Sequence, residues 1–396
     1  MEDIYLVLLT EECDRSTHMQ WFHAQERRYL STEVRCELIY EYQVIKGYSA
    51  YLTGTALQEV KDQASVREVV EDTTIHPDGN SDNADKKSQG VEAETYIKLF
   101  QGTDNGEGSV PPRINTQRDA TWGLQRISQR GPLPSGSHPK DLDFTYRWES
   151  PVGTDLVDVY VLDTGVYLEH QDLQPRAIRG KNFTKDPDGD RRGHGTHVAA
   201  IIAGSQFGVA KLANIIDVKV IGNQDDGQSS DVLAGIDWAY REFQSKGNRS
   251  VVNLSAGGPF NKCLNLAFES AVQKGLHICV SAGNDHQDAS CRSPASAQGV
   301  IAAAASTIND ETNWRSNYGP FVGIYAPGKW IMSAGIRSPS ESVINSGTSM
   351  SSAYVSGFVA YILGRLGEPI APGKMLTILK ELAVPNALSG VPADTT

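Results

Sequence analysis

Val157-Asp158-Val159-Tyr160-Val161-Leu162-Asp163-Thr164-Gly165 is a mostly apolar run that stops on an aspartate. A strand with little polar alternation is covered on both faces, as the strands of a parallel sheet are when helices lie on either side. Comparable runs recur at 215–221, 251–254, 278–280 and 300–305, with helical segments between them at 231–246 and 264–274. The alternation predicts an α/β domain with a mainly parallel sheet and helices on both faces. An aspartate closing such a strand stands at the carboxyl edge, where open α/β sheets place their sites. Asp163 is the first candidate, although Asp-Thr-Gly alone equally fits a capping aspartate or an aspartic protease.

Three further motifs lie at element junctions. In Gly193-His194-Gly195-Thr196-His197-Val198-Ala199-Ala200 the flanking glycines let backbone approach closely and free the His194 imidazole to face a partner. Two histidines three apart on a helix raise zinc, but the pattern lacks the glutamate of His-Glu-x-x-His. No metal is assigned, and His197 is read as a packed structural residue. Ser346-Gly347-Thr348-Ser349-Met350-Ser351-Ser352 precedes the apolar run 354–363, so Ser349 begins a helix whose free N–H groups favour negative charge. The bland alternative is a helix-capping serine. The nucleophile elbow of α/β-hydrolases, Gly-x-Ser-x-Gly, is broken by Ser351, and the order Asp, His, Ser differs from theirs. Val280-Ser281-Ala282-Gly283-Asn284-Asp285 ends another strand. The Asn284 amide there can donate to a developing oxyanion without changing charge.

Residues 1–76 read βαββαβ: strands at 4–9, 36–45 and 48–52, helices at 19–30 and 56–66, and a last strand beginning at Val69 and Val70. That order suits a small ferredoxin-like α+β unit. The stretch 77–120 is polar and rich in Gly, Asp, Asn and Ser, and is expected to be a flexible linker. The α/β domain takes 121–396.

With 396 residues, a net charge of −12 and 21% charged residues, the chain shows no basic stripe for nucleic acid. No apolar run approaches the roughly 20 residues that span a bilayer. The start, Met1-Glu2-Asp3-Ile4, lacks the basic region of a signal peptide and taken literally places the chain inside the cell. Five cysteines are too few and too odd in number for a disulfide scaffold. Cys263 and Cys291, read as loop residues flanking the Asn284 stretch, are the candidate pair, with free thiols as the alternative.

Together these motifs resemble the subtilisin family of serine proteases, and within it the proteinase K-like branch. Thr121-Trp122-Gly123-Leu124-Gln125-Arg126-Ile127-Ser128 is similar to the start of that branch's mature enzymes. Phe207-Gly208-Val209-Ala210, Leu254-Ser255-Ala256-Gly257-Gly258, Ser293-Pro294-Ala295-Ser296, Ser316-Asn317-Tyr318-Gly319 and Ala326-Pro327-Gly328 follow in family order. The N-terminal unit resembles the family's propeptide at Tyr40-Glu41-Tyr42, Gly47-Tyr48-Ser49-Ala50 and Val69-Val70-Glu71-Asp72.

The resemblance implies a serine endopeptidase made as an autoprocessed zymogen, with Asp163, His194 and Ser349 as its triad and a polypeptide as substrate. Asn284 and the Ser349 N–H would form the oxyanion hole. An extended substrate would lie between the segments 226–230, with Gly227, and 254–257, with Ser255 and Gly257. Ala282 and Gly283 would line the pocket for the residue before the cleaved bond, and their small size suggests apolar or aromatic side chains there. The chain's own propeptide would be its inhibitor, and a monomer is expected. No cofactor is implied; Gly323 replaces a family calcium ligand, which leaves at most weak calcium binding. Ala353-Tyr354 stands where the family usually has Pro-His, and the linker is longer than the family's, which leaves the maturation cut unplaced. The family is mostly secreted or vacuolar. A catalytically silent binding protein and a dedicated peptide-processing protease are the alternatives.

Overall fold

The computed structural model describes residues 3–79, 114–150, 156–224, 226–366 and 369–395. The N-terminal unit contains β1 (Ile4–Leu9), α1 (Arg15–Tyr29), β2 (Cys36–Tyr42), β3 (Gly47–Leu52), α2 (Gly54–Lys61) and β4 (Val66–Glu71), with its antiparallel sheet in the order β2-β3-β1-β4. Alternate side chains of a strand face opposite sides, and both sides of this sheet are covered. Val7 and Leu9 join Phe22, Tyr48, Leu52 and Val60 in the unit's own core. Leu6 and Leu8, with Tyr42 and Val44, belong to the same buried cluster as Val232, Leu233, Leu264 and Phe268 of the large domain. This is why residues 4–9 read as continuously apolar in an antiparallel sheet.

The chain then runs through β5 (Thr74–Pro77), β6 (Ile114–Ala120), α3 (Trp122–Ile127), β7 (Phe144–Glu149), β8 (Asp158–Asp163), β9 (Ala177–Asn182), α4 (His194–Ala203) and β10 (Asn214–Lys219). After these come β11 (Gly227–Gln228), α5 (Ser229–Lys246), β12 (Ser250–Leu254), β13 (Ala256–Pro259), α6 (Lys262–Gln273), β14 (His277–Ser281) and β15 (Arg292–Ser293). The last elements are β16 (Ile301–Ser306), β17 (Val322–Pro327), β18 (Ile331–Ala334), β19 (Ser342–Asn345), α7 (Thr348–Leu366) and α8 (Pro372–Leu382). The main sheet has seven strands in the order β17-β16-β14-β12-β8-β10-β9. Its ladders are all parallel.

The polar segment read as a linker is structured at both ends. Residues 114–120 form β6 against β7, with Ala120 fully buried, and His76 and Pro77 lie in β5 between β11 and β13. The rest of that segment, 80–113, lies outside the described residues. All five cysteines are free. Cys263 is buried within α6, not in a loop, while Cys291 is exposed, so the expected pair does not form. No helix among the described residues is long and apolar enough to cross a membrane.

Ala353-Tyr354 is accommodated by the segment that opens the large domain. Tyr354 is buried, its hydroxyl 3.4 Å from Thr121 Oγ1. A Cβ at Gly123 would fall 2.2 Å from that hydroxyl. The glycine leaves the notch that the tyrosine fills.

Carboxylates tie the two units together. Asp237, buried on α5, accepts from the backbone N of Gln43 (2.6 Å) and Val44 (2.5 Å). Asp72 accepts from Ser230 N (3.0 Å) and from the Ser229 and Ser230 hydroxyls, placing a negative charge at the N-terminus of α5. Tyr40 donates to Asp231 (3.4 Å), whose carboxyl is pushed up to about 7 by burial, then by the Asp72 charge, against the pull of Lys185. A free aspartate titrates near ~4. Docking of the small unit is thus favoured by protonated Asp231, and that contribution is lost as pH rises from about 4 towards about 7. Asp231→Asn should therefore strengthen the contact between the two units at pH 8 and weaken its dependence on pH. Thermal unfolding of the wild type and the variant between about pH 5 and 8 measures this; an unchanged pH dependence in the variant would count against it.

Candidate active site

The carboxyl ends of β8, β12 and β14 and the N-termini of α4 and α7 meet at one edge of the sheet. Asp163, the last residue of β8, is fully buried, and its Oδ1 accepts from Thr164 N (2.8 Å) and from His194 Nδ1 (2.7 Å). His194 is the first residue of α4. The close approach needs Gly195, because a Cβ there would lie 2.1 Å from Gly165 O and 3.0 Å from Asp163 Cβ. A residue the motifs did not single out holds the turn. Asp190 accepts from Thr164 Oγ1 (3.0 Å), Gly193 N (2.8 Å), Thr196 N (3.0 Å) and Thr196 Oγ1 (2.7 Å), so one carboxylate pins the Asp163 loop to the start of α4. His197 is placed away from this pair: its Nε2 donates to Ile331 O (3.1 Å), and burial, then the charge of His194, lowers its pKa to about 3.

Ser349 stands in the first turn of α7, fully buried, with its hydroxyl donating to Ser255 O (2.8 Å). Asn284 lies beyond β14, its Oδ1 accepting from Thr348 N (3.0 Å). That bond fixes the amide so that Nδ2 faces the space before Ser349. A backbone carbonyl fills the space: Asp78 O accepts from Asn284 Nδ2 (2.5 Å) and from Ser349 N (3.3 Å). Gly347 makes room for it, since a Cβ would come within 2.1 Å of that oxygen. The next residue, Gly79, lies against His194, and a Cβ on it would meet Nε2 and Cδ2 of the ring at 2.9 Å.

The segment carrying Asp78 is an added β-strand, a common mode of peptide recognition. Ile75 pairs with Gly227 on one side, while His76 and Pro77 pair with Gly257 and Ala256 on the other. Asp78 N donates to Ser255 O (3.1 Å). The expected cleft residues Gly227, Ser255 and Gly257 are therefore brought together, with the chain's own residues 74–78 between them. Ile75 is fully buried.

The pocket that receives the Asp78 side chain differs from the expected apolar slot. Gly283 lies at its wall in a left-handed conformation, φ 104°, and Ala282 is packed behind it with its carbonyl accepting from Asn317 Nδ2 (2.9 Å). Arg292, from β15, fills the space these small residues leave, its Nη2 donating to Asp78 Oδ1 (2.8 Å). Ser281 Oγ donates to Asp78 Oδ2 (2.6 Å). Burial pushes the Asp78 carboxyl up, and Arg292 and the Ser281 hydroxyl pull it down. Gly323 faces Leu376, 3.1 Å from where its Cβ would stand, so this position abuts packed apolar side chain.

Residues 155–391 match the family model described as Subtilase family, more than half of the chain. The chain belongs to the subtilase family. Residues 4–78 of this subtilase match a second model, Peptidase inhibitor I9. Among curated relatives, a subtilisin-like protease of Coccidioides posadasii is 41% identical over 71% of this chain and 59% of its own length. The chain thus spans under two thirds of that relative. The subtilisin-like serine protease Rho m 2.0101 of Rhodotorula mucilaginosa is 40% identical over 70% of this chain and 84% of that protein. Pen ch 18 of Penicillium rubens, also a subtilisin-like serine protease, is 34% identical over 99% of this chain and 79% of its own. A solved structure of a cold adapted subtilisin-like serine proteinase aligns with TM-score 0.62 and 33% identity, over 70% of this chain and 97% of that one. This subtilase is accordingly a serine endopeptidase that carries an inhibitor-type propeptide, and the propeptide match ends on Asp78, the residue in its cleft.

Proposed function

We propose that this subtilase cuts peptide bonds through an acyl-enzyme on Ser349, and that its first substrate is its own Asp78–Gly79 bond. The observation that carries the reading is the Asp78 carbonyl, which accepts from both Asn284 Nδ2 and Ser349 N, the pair of donors that an oxyanion hole uses. Ser349 Oγ is the nucleophile and must first turn away from Ser255 O. His194, its Nδ1 proton held by Asp163, accepts the serine proton at Nε2 and passes it to the leaving amine of Gly79. Water then repeats the sequence on the ester and leaves Asp78 as a carboxylate. The severed propeptide keeps its strand in the cleft and its sheet on α5 and α6, so it inhibits until it leaves.

The chemistry is tested with a fluorophosphonate probe on the purified full-length chain at a pH where the propeptide dissociates. Labelling that maps to Ser349 is the expected result. A folded chain whose serine takes no label after the propeptide has gone would instead fit a silent subtilase fold used for binding, for which no observation here speaks.

A further inference from the structure

The cleft carries a charge where small residues promised an open slot. Building on the endopeptidase reading, we propose that Arg292 makes this enzyme specific for aspartate on the acyl side of the cleaved bond, its substrates being polypeptides of the form apolar-x-x-Asp.

Each oxygen of the Asp78 carboxylate has its own donor, Arg292 Nη2 at 2.8 Å and Ser281 Oγ at 2.6 Å. Both donors come from rigid places: Ser281 closes β14, and Arg292 lies on β15, paired with Pro259 of β13. The guanidinium is 15% exposed and is steadied at the rim by Asp285, whose Oδ2 lies 3.1 Å from Nη1 and whose side chain is 51% exposed. Gly257 and Gly283 provide its seat, since Cβ atoms there would come within 3.2 Å of Nη2 and 3.1 Å of Nε. The small residues that suggest a pocket for an aromatic ring are thus what admits the arginine.

An apolar side chain entering this pocket would find its depth already taken and would bury the Ser281 hydroxyl and the inner face of Arg292 without a partner. Sites built to hydrogen-bond a substrate group reject analogues that lack it far more strongly than apolar pockets reject a misfit. Glutamate, one methylene longer, would drive its carboxylate into the guanidinium. Three residues earlier, Ile75 is enclosed, and a Cβ at Gly258 would come within 2.9 Å of its Cδ1, so a second, apolar pocket depends on that glycine. After the bond, Gly79 is small because His194 stands where its side chain would be. In the step itself the Ser349 Oγ–aspartyl carbon bond forms as the aspartyl carbon–nitrogen bond breaks, the serine proton leaves with the amine through His194, and water releases the aspartyl carboxylate.

The test uses enzyme that has matured from the full chain, with its active sites titrated by the fluorophosphonate. Quenched peptides containing Ile-His-Pro-X-Gly, with X as Asp, Glu, Asn or Phe, are compared. Asp should exceed Asn and Phe in kcat/KM by about 100-fold, with Glu between, and Arg292→Gln should bring the Asp-to-Phe ratio below about 10. If Arg292→Gln yields no folded enzyme, the wild-type ranking decides alone. Labelled enzyme that cleaves the Phe peptide as well as the Asp peptide, or a variant with an unchanged ratio, overturns the role of Arg292. An enzyme that neither labels nor cuts any of the peptides overturns the endopeptidase reading, and the specificity with it.

Discussion

Replacing His194 by alanine is expected to slow peptide hydrolysis by about 10⁶-fold and to leave the chain uncut at Asp78–Gly79, the magnitude seen when a catalytic histidine is removed from a subtilisin. The structure supplies the reason for so large a loss. Ser349 hydrogen-bonds to a backbone carbonyl, Ser255 O, which cannot take its proton. The His194 ring is the group that lies both against the leaving-group residue and on Asp163. Without it no base remains to form the alkoxide and no acid to protonate the amine. The exchange should leave the fold intact, because the loop is pinned by Asp190 through Gly193 and Thr196 and not through the imidazole. Single-turnover cleavage measured beside thermal unfolding separates the two effects. A loss of under 100-fold in a folded variant would show that another group carries the proton.

Asp163→Asn is expected to cost about 10⁴-fold in kcat with little change in KM. Asp163 Oδ1 accepts two donors, Thr164 N and His194 Nδ1, and it is fully buried. An asparagine can keep its oxygen towards Thr164 N only by presenting the same atom to His194. Turned the other way it offers N–H groups to Nδ1, which moves the ring proton to Nε2, where it blocks proton uptake from Ser349. The buried carboxylate also stabilises the imidazolium that forms during attack, and an amide does not. The variant should still bind its propeptide, since residues 74–78 pair with β11 and β13 and hydrogen-bond to Asn284 Nδ2 and Ser349 N, not to Asp163. Pre-steady-state kinetics with an ester substrate reads this directly. A rate within 10-fold of the wild type would mean that the aspartate does not orient the ring.

The proposed triad, Asp163, His194 and Ser349, and Asn284 could be picked out of the sequence because each stands in a short motif whose glycines allow close approach. Gly195 clears Asp163, and Gly347 clears the carbonyl in the hole. The parallel sheet was legible from strands buried on both faces, whereas the edge strand β9, Ala-Ile-Arg-Gly-Lys-Asn, is half exposed and carries no such signal. Strand β5 was hidden for a different reason. Among the described residues, Thr74-Ile75-His76-Pro77 finds its strand partners in the distant β11 and β13. Strand β6 is as polar as a linker and is ordered by pairing with β7. Arg292 was missed because its chemistry depends on place. Beside Ser293-Pro294-Ala295-Ser296 it reads as a surface arginine, and only the pairing of β15 with β13 turns it into the pocket. Asp190 stands in Asp186-Pro187-Asp188-Gly189-Asp190, outside every motif read from the sequence, and ties the turn between Asp163 and His194 together.

If the Asp78–Gly79 bond lies in a working active site of its own chain, intact-mass analysis of the full chain beside Ser349→Ala will find the wild type severed after Asp78 and the variant whole. A variant cut at the same bond as efficiently as the wild type would show that Ser349 does not make the cut.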